Sequence, residues 1–290
     1  MVNLKKEKIA PGLYFIATPI GAARDITLRA LDLLASADIL VAEDTRSLRH
    51  LMQIHGVPLG DRPIKAYHDH SPEKVRADLI AEILAGCAVL YAPEAGTPMV
   101  SDPGFDLGRA ASEAGCMVTA APGPSAMLAA LTVSGLPSDR FMFCGFPPQK
   151  SAARRSYLAD IKTCGATVIF YESPKRVRRL LEELCEAWGP ERPAVLCREL
   201  TKRFEEAKRG TLEGLRQDLG TQDPKGECVL LCGPAPAEEV ADTETVEAAL
   251  TGALHRLSVK DATSEIAALF NLPRREVYQR ALALQKEKRQ

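Results

Sequence analysis

Short apolar runs alternate with amphipathic segments along most of the chain, and this alternation predicts strands and helices in turn. Three of the apolar runs occupy residues 13–17, 39–42 and 87–91. Uninterrupted apolar runs of this length are typical of strands that are covered on both faces. Between the first two runs, leucines recur at helical spacing from Leu28, just after Thr27, a residue type that favours a helix start. We therefore expect a mainly parallel α/β sheet in this half of the chain.

A second series of strands and helices begins near Arg140. The pattern predicts strands over 141–145, 166–171, 194–200 and 228–232, a charged strand or hairpin near 204–210, and helices over 152–162 and 174–188. A cleft between two α/β units is a common place for a cofactor. This half of the chain thus predicts a second α/β domain and a site between the two.

The C-terminal segment shows helical periodicity on both sides of the turn Asn271-Leu-Pro273. The pattern resembles a helix-turn-helix, although helical hairpins of this size are also plain packing units. We expect three regions in all. They are an N-terminal α/β domain over residues 1–123, a second α/β domain over 124–235, and a helical, helix-turn-helix-like extension over 236–290.

The composition is ordinary for a globular protein, with 46% hydrophobic and 26% charged residues in a chain of 290. The formal net charge of −1 gives no overall attraction to nucleic acid. The eight cysteines are scattered without a Cys-x-x-Cys pair, which favours reduced thiols. No apolar run in the sequence approaches the length of a membrane span. We expect a cytoplasmic protein with no membrane partner.

Positive charge concentrates between Pro147 and Arg209, where fourteen Lys or Arg residues stand against nine Asp or Glu. Such an excess predicts the anion-binding half of the protein. Part of it could pair along a solvated helix face, as Arg178 and Glu182 would at a spacing of four. Five cations lie instead at element starts or in loops: Lys150, Arg154, Lys175, Arg176 and Lys202.

The loop at residues 92–104 is the default candidate site, because it directly follows the apolar run 87–91. Ligands of open parallel sheets bind beyond the carboxyl ends of the strands. The loop carries stiffening prolines and two carboxylates, Glu94 and Asp102, and the chain has neither a Walker motif nor Gly-x-Gly-x-x-Gly. It suits ribose hydroxyls, an amino group or a cationic ligand. The alternative is a tight connection with exposed acids.

A metal could in principle bind His68 and His70, which form a His-x-His pair. No third ligand stands at a suitable spacing in the sequence. We therefore expect a hydrogen-bonded loop there and no metal site.

Seven short motifs occur in one order between Leu13 and Gly233. They are Thr18-Pro-Ile-Gly21 with Asp25-Ile-Thr27, Glu43-Asp-Thr-Arg46, Ala95-Gly-Thr-Pro98 with Asp102-Pro-Gly104, Pro122-Gly-Pro124, Phe170-Tyr-Glu-Ser173, Arg198-Glu-Leu-Thr-Lys202 and Lys225-Gly-Glu227. Together they resemble the ribosomal RNA small subunit methyltransferase I family, a branch of the tetrapyrrole methylase superfamily. The sequence departs from the family pattern at Ala22, where Asn is usual, and at Pro93-Glu94, where Ser-Asp is usual.

The resemblance implies a tetrapyrrole-methylase-like fold, with S-adenosylmethionine bound between two α/β domains and a C-terminal helical extension, usually in a homodimer. It implies methyl transfer to the 2′-hydroxyl of a cytidine ribose in the decoding region of small-subunit (16S) ribosomal RNA, free or in an assembled small subunit. Two alternatives stay open. One is a methylase of the same superfamily acting on a tetrapyrrole or a protein, and the other is a non-catalytic nucleic-acid-binding regulator.

The resemblance also implies a set of site residues. The cofactor would be held by Glu94, Thr97, Ser125, Ala126, Tyr171 and Val229. For catalysis we expect Asp102 as the acceptor-side carboxylate, with Arg46 and Lys175 as cations near the RNA. A role for Asp102 as a helix cap is the alternative. The expected RNA contacts are Lys150, Arg154, Arg176 and Lys202.

Overall fold

The first half of the chain forms a five-stranded sheet in which all neighbouring strands are parallel. The computed structural model describes residues 4–68, 71–99, 104–236, 243–270 and 272–287. The strands are β1 (Gly12–Ile16), β2 (Ile39–Ala42), β3 (Ile64–Ala66), β4 (Ala88–Ala92) and β5 (Val118–Ala121). Their order is β3-β2-β4-β1-β5. Every residue of β1, β2 and β4 is buried, as the uninterrupted apolar runs predicted.

Helices cover both faces of this sheet, which explains why its strands are apolar throughout. They are α1 (Leu28–Ser36), α2 (Thr45–Ile54), α3 (Glu73–Leu84) and α4 (Gly104–Glu113), whereas α5 (Ala126–Ser134) packs against the second sheet. Adjacent residues of β4 point to opposite faces. Leu90 accordingly belongs to a core with Leu34, and Val89 to a second core with Leu107. Thr27 begins α1 as predicted, because its side chain accepts a hydrogen bond from the Ala30 N–H at 3.1 Å.

The second sheet is also five-stranded, but its pairing is mixed. Its strands are β6 (Phe141–Phe143), β7 (Thr167–Glu172), β8 (Pro193–Arg198), β9 (Glu206–Thr211) and β10 (Cys228–Cys232), in the order β6-β7-β10-β8-β9. Strands β6 and β7 are parallel, and the other three pairs are antiparallel. The charged segment predicted near 204–210 is the single strand β9, which pairs antiparallel with β8 across the link 199–205. The helices of this half are α6 (Ser151–Asp160), α7 (Pro174–Trp188) and α8 (Leu212–Leu219).

The C-terminal unit consists of three helices, α9 (Thr243–Leu254), α10 (Val259–Leu269) and α11 (Arg274–Glu287). Its own core includes Val246, Leu250, Ile266 and Val277. Contacts divide the chain into two units, Met1–Ala235 and Pro236–Gln290. Both sheets belong to the first unit, and the division between residues 123 and 124 stays a prediction. The predicted α/β architecture with a helical extension is confirmed.

The remaining sequence predictions concern thiols and membranes. All eight cysteines are free thiols. Across the described ranges, every helix is too short or too polar to cross a bilayer.

Candidate active site

A cleft of about 700 Å³ lies between the carboxyl ends of the strands of the first sheet and one end of the second sheet, at strands β7, β8 and β10. Its volume is within the range of small-molecule binding sites. The first sheet contributes the loops after β1, β2, β4 and β5, which supply Pro19–Gly21, Glu43, Ser47, Glu94–Thr97, Ser125 and Ala126. The second sheet contributes Phe146, Tyr171–Pro174, Leu200, Lys202 and Glu227–Val229. The cleft therefore depends on both halves of the first unit.

The loop after β4 is fixed by hydrogen bonds to its neighbours. Gly96 exchanges two backbone hydrogen bonds with Thr18, at 2.9 and 3.0 Å, and its φ of 82° favours glycine. The Thr97 hydroxyl donates to the Pro124 carbonyl at 2.8 Å. The Glu94 N–H donates to the Glu43 carboxylate at 3.3 Å, and the Glu94 side chain is exposed. These contacts join the loop after β4 to the loops after β1, β2 and β5.

Tyr171 forms the opposite wall together with Val229, its partner across the β7–β10 pair. Its hydroxyl accepts a hydrogen bond from the Met127 N–H at 3.0 Å, which links β7 to the first turn of α5. Burial raises the pKa of the Tyr171 phenol, so the hydroxyl stays protonated at neutral pH. Ser125, buried at the start of α5, lines the same part of the cleft.

Lys202 lies in the cleft wall and is held by two carboxylates. Its Nζ is 2.8 Å from Glu199 Oε1 and 2.7 Å from Glu227 Oε2. Burial alone would lower the pKa of the Lys202 ammonium, but the two hydrogen bonds outweigh burial and place the pKa above its ordinary value. Lys202 is thus a fixed positive charge inside the cleft rather than a mobile side chain on the surface.

A direct contact between the sheets lies beside Lys202. The Thr201 hydroxyl accepts a hydrogen bond from the Ala22 N–H at 3.0 Å. Gly21 packs so closely that a Cβ there would stand 2.5 Å from the Lys202 Cγ. Sequence reasoning did not single out Thr201, Glu199 or Gly21 for this contact. The only signal was their presence in two of the seven motifs, which says nothing about mutual contact.

The six residues predicted to hold a cofactor all line this cleft, although they come from four separate segments of the sequence. They are Glu94, Thr97, Ser125, Ala126, Tyr171 and Val229. The predicted cations are placed differently. Arg46 is 90% exposed in its side chain, 3.3 Å from Asp44 at the start of α2. Lys175 and Lys150 are exposed at the starts of α7 and α6. Asp102 and His70 lie outside the described residues.

The expectation that Arg154 contacts RNA is corrected by its position. Its side chain is buried and forms a two-pronged ion pair with Glu183, with the Nη2–Oε1 distance at 2.8 Å. Its Nη1 also donates to the carbonyls of Pro148 and Gln149, both at 3.2 Å. The Arg154 hydrogen bond is the main reason that the pKa of the Glu183 carboxyl is lowered. Arg154 joins α6 to α7, and its charge is not available at the surface.

Ion pairs with carboxylates neutralise much of the positive charge between residues 147 and 209. Six of the fourteen cations pair with carboxylates: Arg154, Arg176, Arg178, Arg179, Arg198 and Lys202. Arg176 lies 2.8 Å from Glu172 and keeps 32% of its side chain exposed. The surface that can attract an anion is therefore smaller than the charge count indicates.

The residues that line the cleft suit a ligand that combines a positive charge with a flat ring. Among the described residues that line it are four glutamates, of which Glu172 pairs with Arg176, Glu227 pairs with Lys202, and Glu94 has an exposed side chain; the fourth is Glu43. Apolar walls come from Ile20, Phe146, Leu200 and Val229. A carboxylate-rich site stabilises a positive charge by Coulomb attraction, and the apolar side chains suit a flat ring. Within the described ranges, His, Cys, Asp and Glu side chains form no group of three or more placed to hold a metal ion.

Comparison with known proteins matches nearly the whole chain. The family of Tetrapyrrole (Corrin/Porphyrin) Methylases matches residues 12–216, and the RsmI C-terminal HTH domain matches residues 240–285. A Mesorhizobium japonicum protein named Ribosomal RNA small subunit methyltransferase I is 44% identical over 279 residues, which cover 95% of this chain and 93% of that protein. The protein of the same name from Haemophilus influenzae is 40% identical over 276 residues, which cover 93% and 96%.

A solved structure shows the same fold. It is the uroporphyrin-III C-methyl transferase of Thermus thermophilus in complex with S-adenyl homocysteine, with a TM-score of 0.54 and 19% identity. The match covers 77% of this chain and 97% of that chain. It confirms that the two-sheet unit has the fold that the motifs predicted.

Proposed function

Because the chain belongs to the ribosomal RNA small subunit methyltransferase I family, we propose that it methylates small-subunit (16S) ribosomal RNA with S-adenosylmethionine. The acceptor in this proposal is the 2′-hydroxyl of a cytidine ribose in the decoding region. The observation that carries it is 44% identity to a protein of that name over 95% of this chain. The matched length takes in both sides of the cleft and the C-terminal helices.

The cleft has the chemistry that S-adenosylmethionine requires, which is a carboxylate-rich lining beside apolar walls. In this proposal Glu94 and Thr97 hold it from the first sheet, Ser125 and Ala126 from the start of α5, and Tyr171 and Val229 from the second sheet. When bound, the cofactor supplies an electrophilic methyl group on a positively charged sulfur. The protein then has to place the acceptor oxygen in line with that group and exclude water.

The acceptor hydroxyl is a weak acid, so a base has to take its proton as the oxygen is methylated. We assign that role to Asp102, with Arg46 and Lys175 as cations near the RNA. Both cations are exposed and stand next to cleft-lining residues, Arg46 before Ser47 and Lys175 after Pro174. Their charge favours approach of the phosphate backbone.

For RNA binding outside the cleft we retain Lys150 and Arg176. Lys150 is exposed, and Arg176 stays partly exposed while paired. Lys202 is assigned to the cleft wall, where it fixes Glu199 and Glu227. Aromatic residues make up only 5% of the chain, which favours backbone and shape contacts over base stacking.

We also propose a cellular location and an oligomeric state for the protein. We place the protein in the cytoplasm, where small ribosomal subunits are substrates, and we expect a homodimer on the family resemblance. Size-exclusion chromatography with light scattering measures the mass in solution and tests the homodimer. A mass of one chain would contradict it.

Transfer of radiolabel from S-adenosylmethionine to purified small ribosomal subunits tests the function. Subunits from cells that lack this enzyme should take up label, and subunits that already carry the modification should not. Label on both or on neither would contradict the proposal. Binding of S-adenosyl homocysteine, measured separately by calorimetry, shows whether the cleft is intact.

A further inference from the structure

A second cavity, of about 210 Å³, opens along helix α2 beside the cofactor cleft. Four residues line both spaces: Pro19, Gly21, Ser47 and Glu94. The two spaces therefore adjoin at these residues. A ligand that fills the smaller space, here called the α2 groove, would lie directly against the site of the methyl donor.

The α2 groove has an apolar wall with polar groups on its rim. Leu48, Leu51 and Ile54 lie three residues apart on one side of α2 and line it. Ile54 is 49% exposed at the end of the helix. The polar side chains that line it are Thr18, Ser47, His50 and the Glu94 carboxylate. An apolar surface with an imidazole beside it suits the flat face of a nucleobase, whose edges can bond to the rim.

The surface at the groove carries both signs of charge, with the exposed Glu94 carboxylate in its lining and three arginines beside it. Arg24, Arg46 and Arg49 are exposed, and each is adjacent in sequence to a groove-lining residue. Arg46 and Arg49 both lie in α2, and Arg46 is next to Ser47, which lines both spaces. Arg46 pairs with Asp44 at 3.3 Å but keeps 90% of its side chain exposed, whereas the Arg154 side chain, in the second half of the chain, is 3% exposed in its ion pair. The exposed arginines are placed to contact the phosphates on either side of an acceptor nucleotide bound in the groove.

We propose that the α2 groove binds the acceptor nucleoside of the RNA, turned out of its stack. The base lies against Leu51 and Ile54, and the ribose lies at Gly21 and Ser47, between the groove and the cofactor cleft. This arrangement brings the ribose hydroxyl toward the cofactor cleft, while the base stays in the α2 groove. The inference rests on the proposed function and adds the place where its substrate binds.

A groove-filling variant tests the proposal. Ile54→Trp adds bulk at a half-exposed position, so the fold should tolerate it, and Leu28→Trp, at a residue of α1 that is 66% exposed, is the matched control. For Ile54→Trp we expect kcat/KM on unmodified small ribosomal subunits to fall by about tenfold or more. Its melting temperature and its Kd for S-adenosyl homocysteine should stay at the wild-type values. Leu28→Trp should leave all three quantities unchanged.

Crosslinking gives a readout that does not depend on turnover. A small-subunit RNA fragment with 5-iodocytidine at the acceptor position, assembled into subunits, should crosslink to the peptide that contains residues 45–54. A crosslink to α6 or α7 instead, or an Ile54→Trp variant with wild-type kcat/KM, overturns the groove assignment. If the wild-type protein transfers no methyl group to the subunits, the proposed function fails and the groove assignment fails with it. These outcomes separate the two failures.

Discussion

The Thr201 hydroxyl accepts a hydrogen bond from the Ala22 backbone N–H, and this bond joins the two sheets at the cleft. Thr201 has a φ of 63°, a conformation that β-branched residues rarely adopt. Its own N–H donates to the Glu205 carboxylate at 2.5 Å, which helps hold the loop in this shape. Strain of this kind persists where the surrounding structure fixes it and often marks a functional site. Because the bond uses the backbone of residue 22, it does not need the Asn that is usual in the family.

Thr201→Val keeps the branched shape but removes the acceptor for the Ala22 N–H. We expect the Kd for S-adenosyl homocysteine to rise several-fold, because a bond between the cleft walls contributes about 1 kcal/mol. Calorimetric titration measures it. Thr201→Ser retains the hydroxyl and should bind like the wild type. Equal affinities of the Val and Ser variants would show that this bond does not shape the cleft.

Gly21→Ala places a methyl group where the sheets meet. Its Cβ would lie 2.5 Å from the Lys202 Cγ and 2.6 Å from the Thr201 Oγ1. Overpacking should destabilise the fold by about 1–3 kcal/mol and weaken cofactor binding as well. Urea unfolding and calorimetry measure the two effects. Gly165→Ala is the control, since a Cβ there meets no atom within 4 Å, and equal behaviour of the two variants would argue against close packing at Gly21.

The Arg154–Glu183 pair makes a prediction about acid stability. The Arg154 hydrogen bond lowers the pKa of Glu183 in the folded state, so the pair stabilises the fold above the unfolded pKa of about 4.3. That stabilisation is lost as the pH falls through the lower, folded pKa. Glu183→Gln leaves the Arg154 charge buried without its partner, so we expect a loss of about 3–5 kcal/mol at pH 7 and a shallower decline of stability in acid.

Denaturant unfolding between pH 7 and pH 3 measures this effect. The control is Glu182→Gln, because Glu182 forms an exposed pair with Arg178 on the same helix. An exposed pair should contribute at most about 1 kcal/mol. Similar losses in the two variants would contradict the assignment of Arg154 to the interior.

Asp102→Asn tests the acceptor-side carboxylate. If Asp102 takes the hydroxyl proton, the variant should lose methyl transfer by two orders of magnitude or more, roughly the size of a general-base contribution. Its Kd for S-adenosyl homocysteine and its melting temperature should not change. A lower melting temperature with near-normal turnover would instead indicate a helix cap.

The salt dependence of subunit binding tests the exposed cations. Lys150→Ala and Lys175→Ala should each weaken binding and reduce the slope of log K against log[salt] by about 0.7–0.9, if each lysine contacts one phosphate. Lys74→Ala, at an exposed position of α3, is the control. Filter binding at several salt concentrations gives the slopes. A slope equal to that of the control would remove that lysine from the interface.

The sequence predicted the elements well where burial determines the pattern. Strand β10 and helix α7 begin and end at the predicted residues, because a fully buried strand and a helix that starts with Pro174 carry strong local signals. The pairing of the second sheet was not predictable in the same way. Strand β10 lies between β7 and β8, and such long-range insertion leaves no trace in local periodicity.

The motifs predicted which residues belong to the site, but they did not predict the contacts among those residues. Lys202 belongs to a recognised motif, yet its charge looked like an RNA contact until Glu199 and Glu227 were found to enclose it. Arg154 looked exposed because nothing in its neighbourhood reveals a glutamate twenty-nine residues later as its partner. Charge counts locate cations along a chain, whereas pairing decides which of them remain available.

The position of the methyl group on the RNA decides whether this protein methylates a cytidine ribose in small-subunit ribosomal RNA. Subunits labelled by the purified protein would be digested with nucleases, and the labelled nucleoside would be identified by mass spectrometry. We expect the label on one cytidine of the decoding region, with the methyl group on the ribose. A methyl group on a base alone, on many nucleotides, or on ribosomal protein would contradict it.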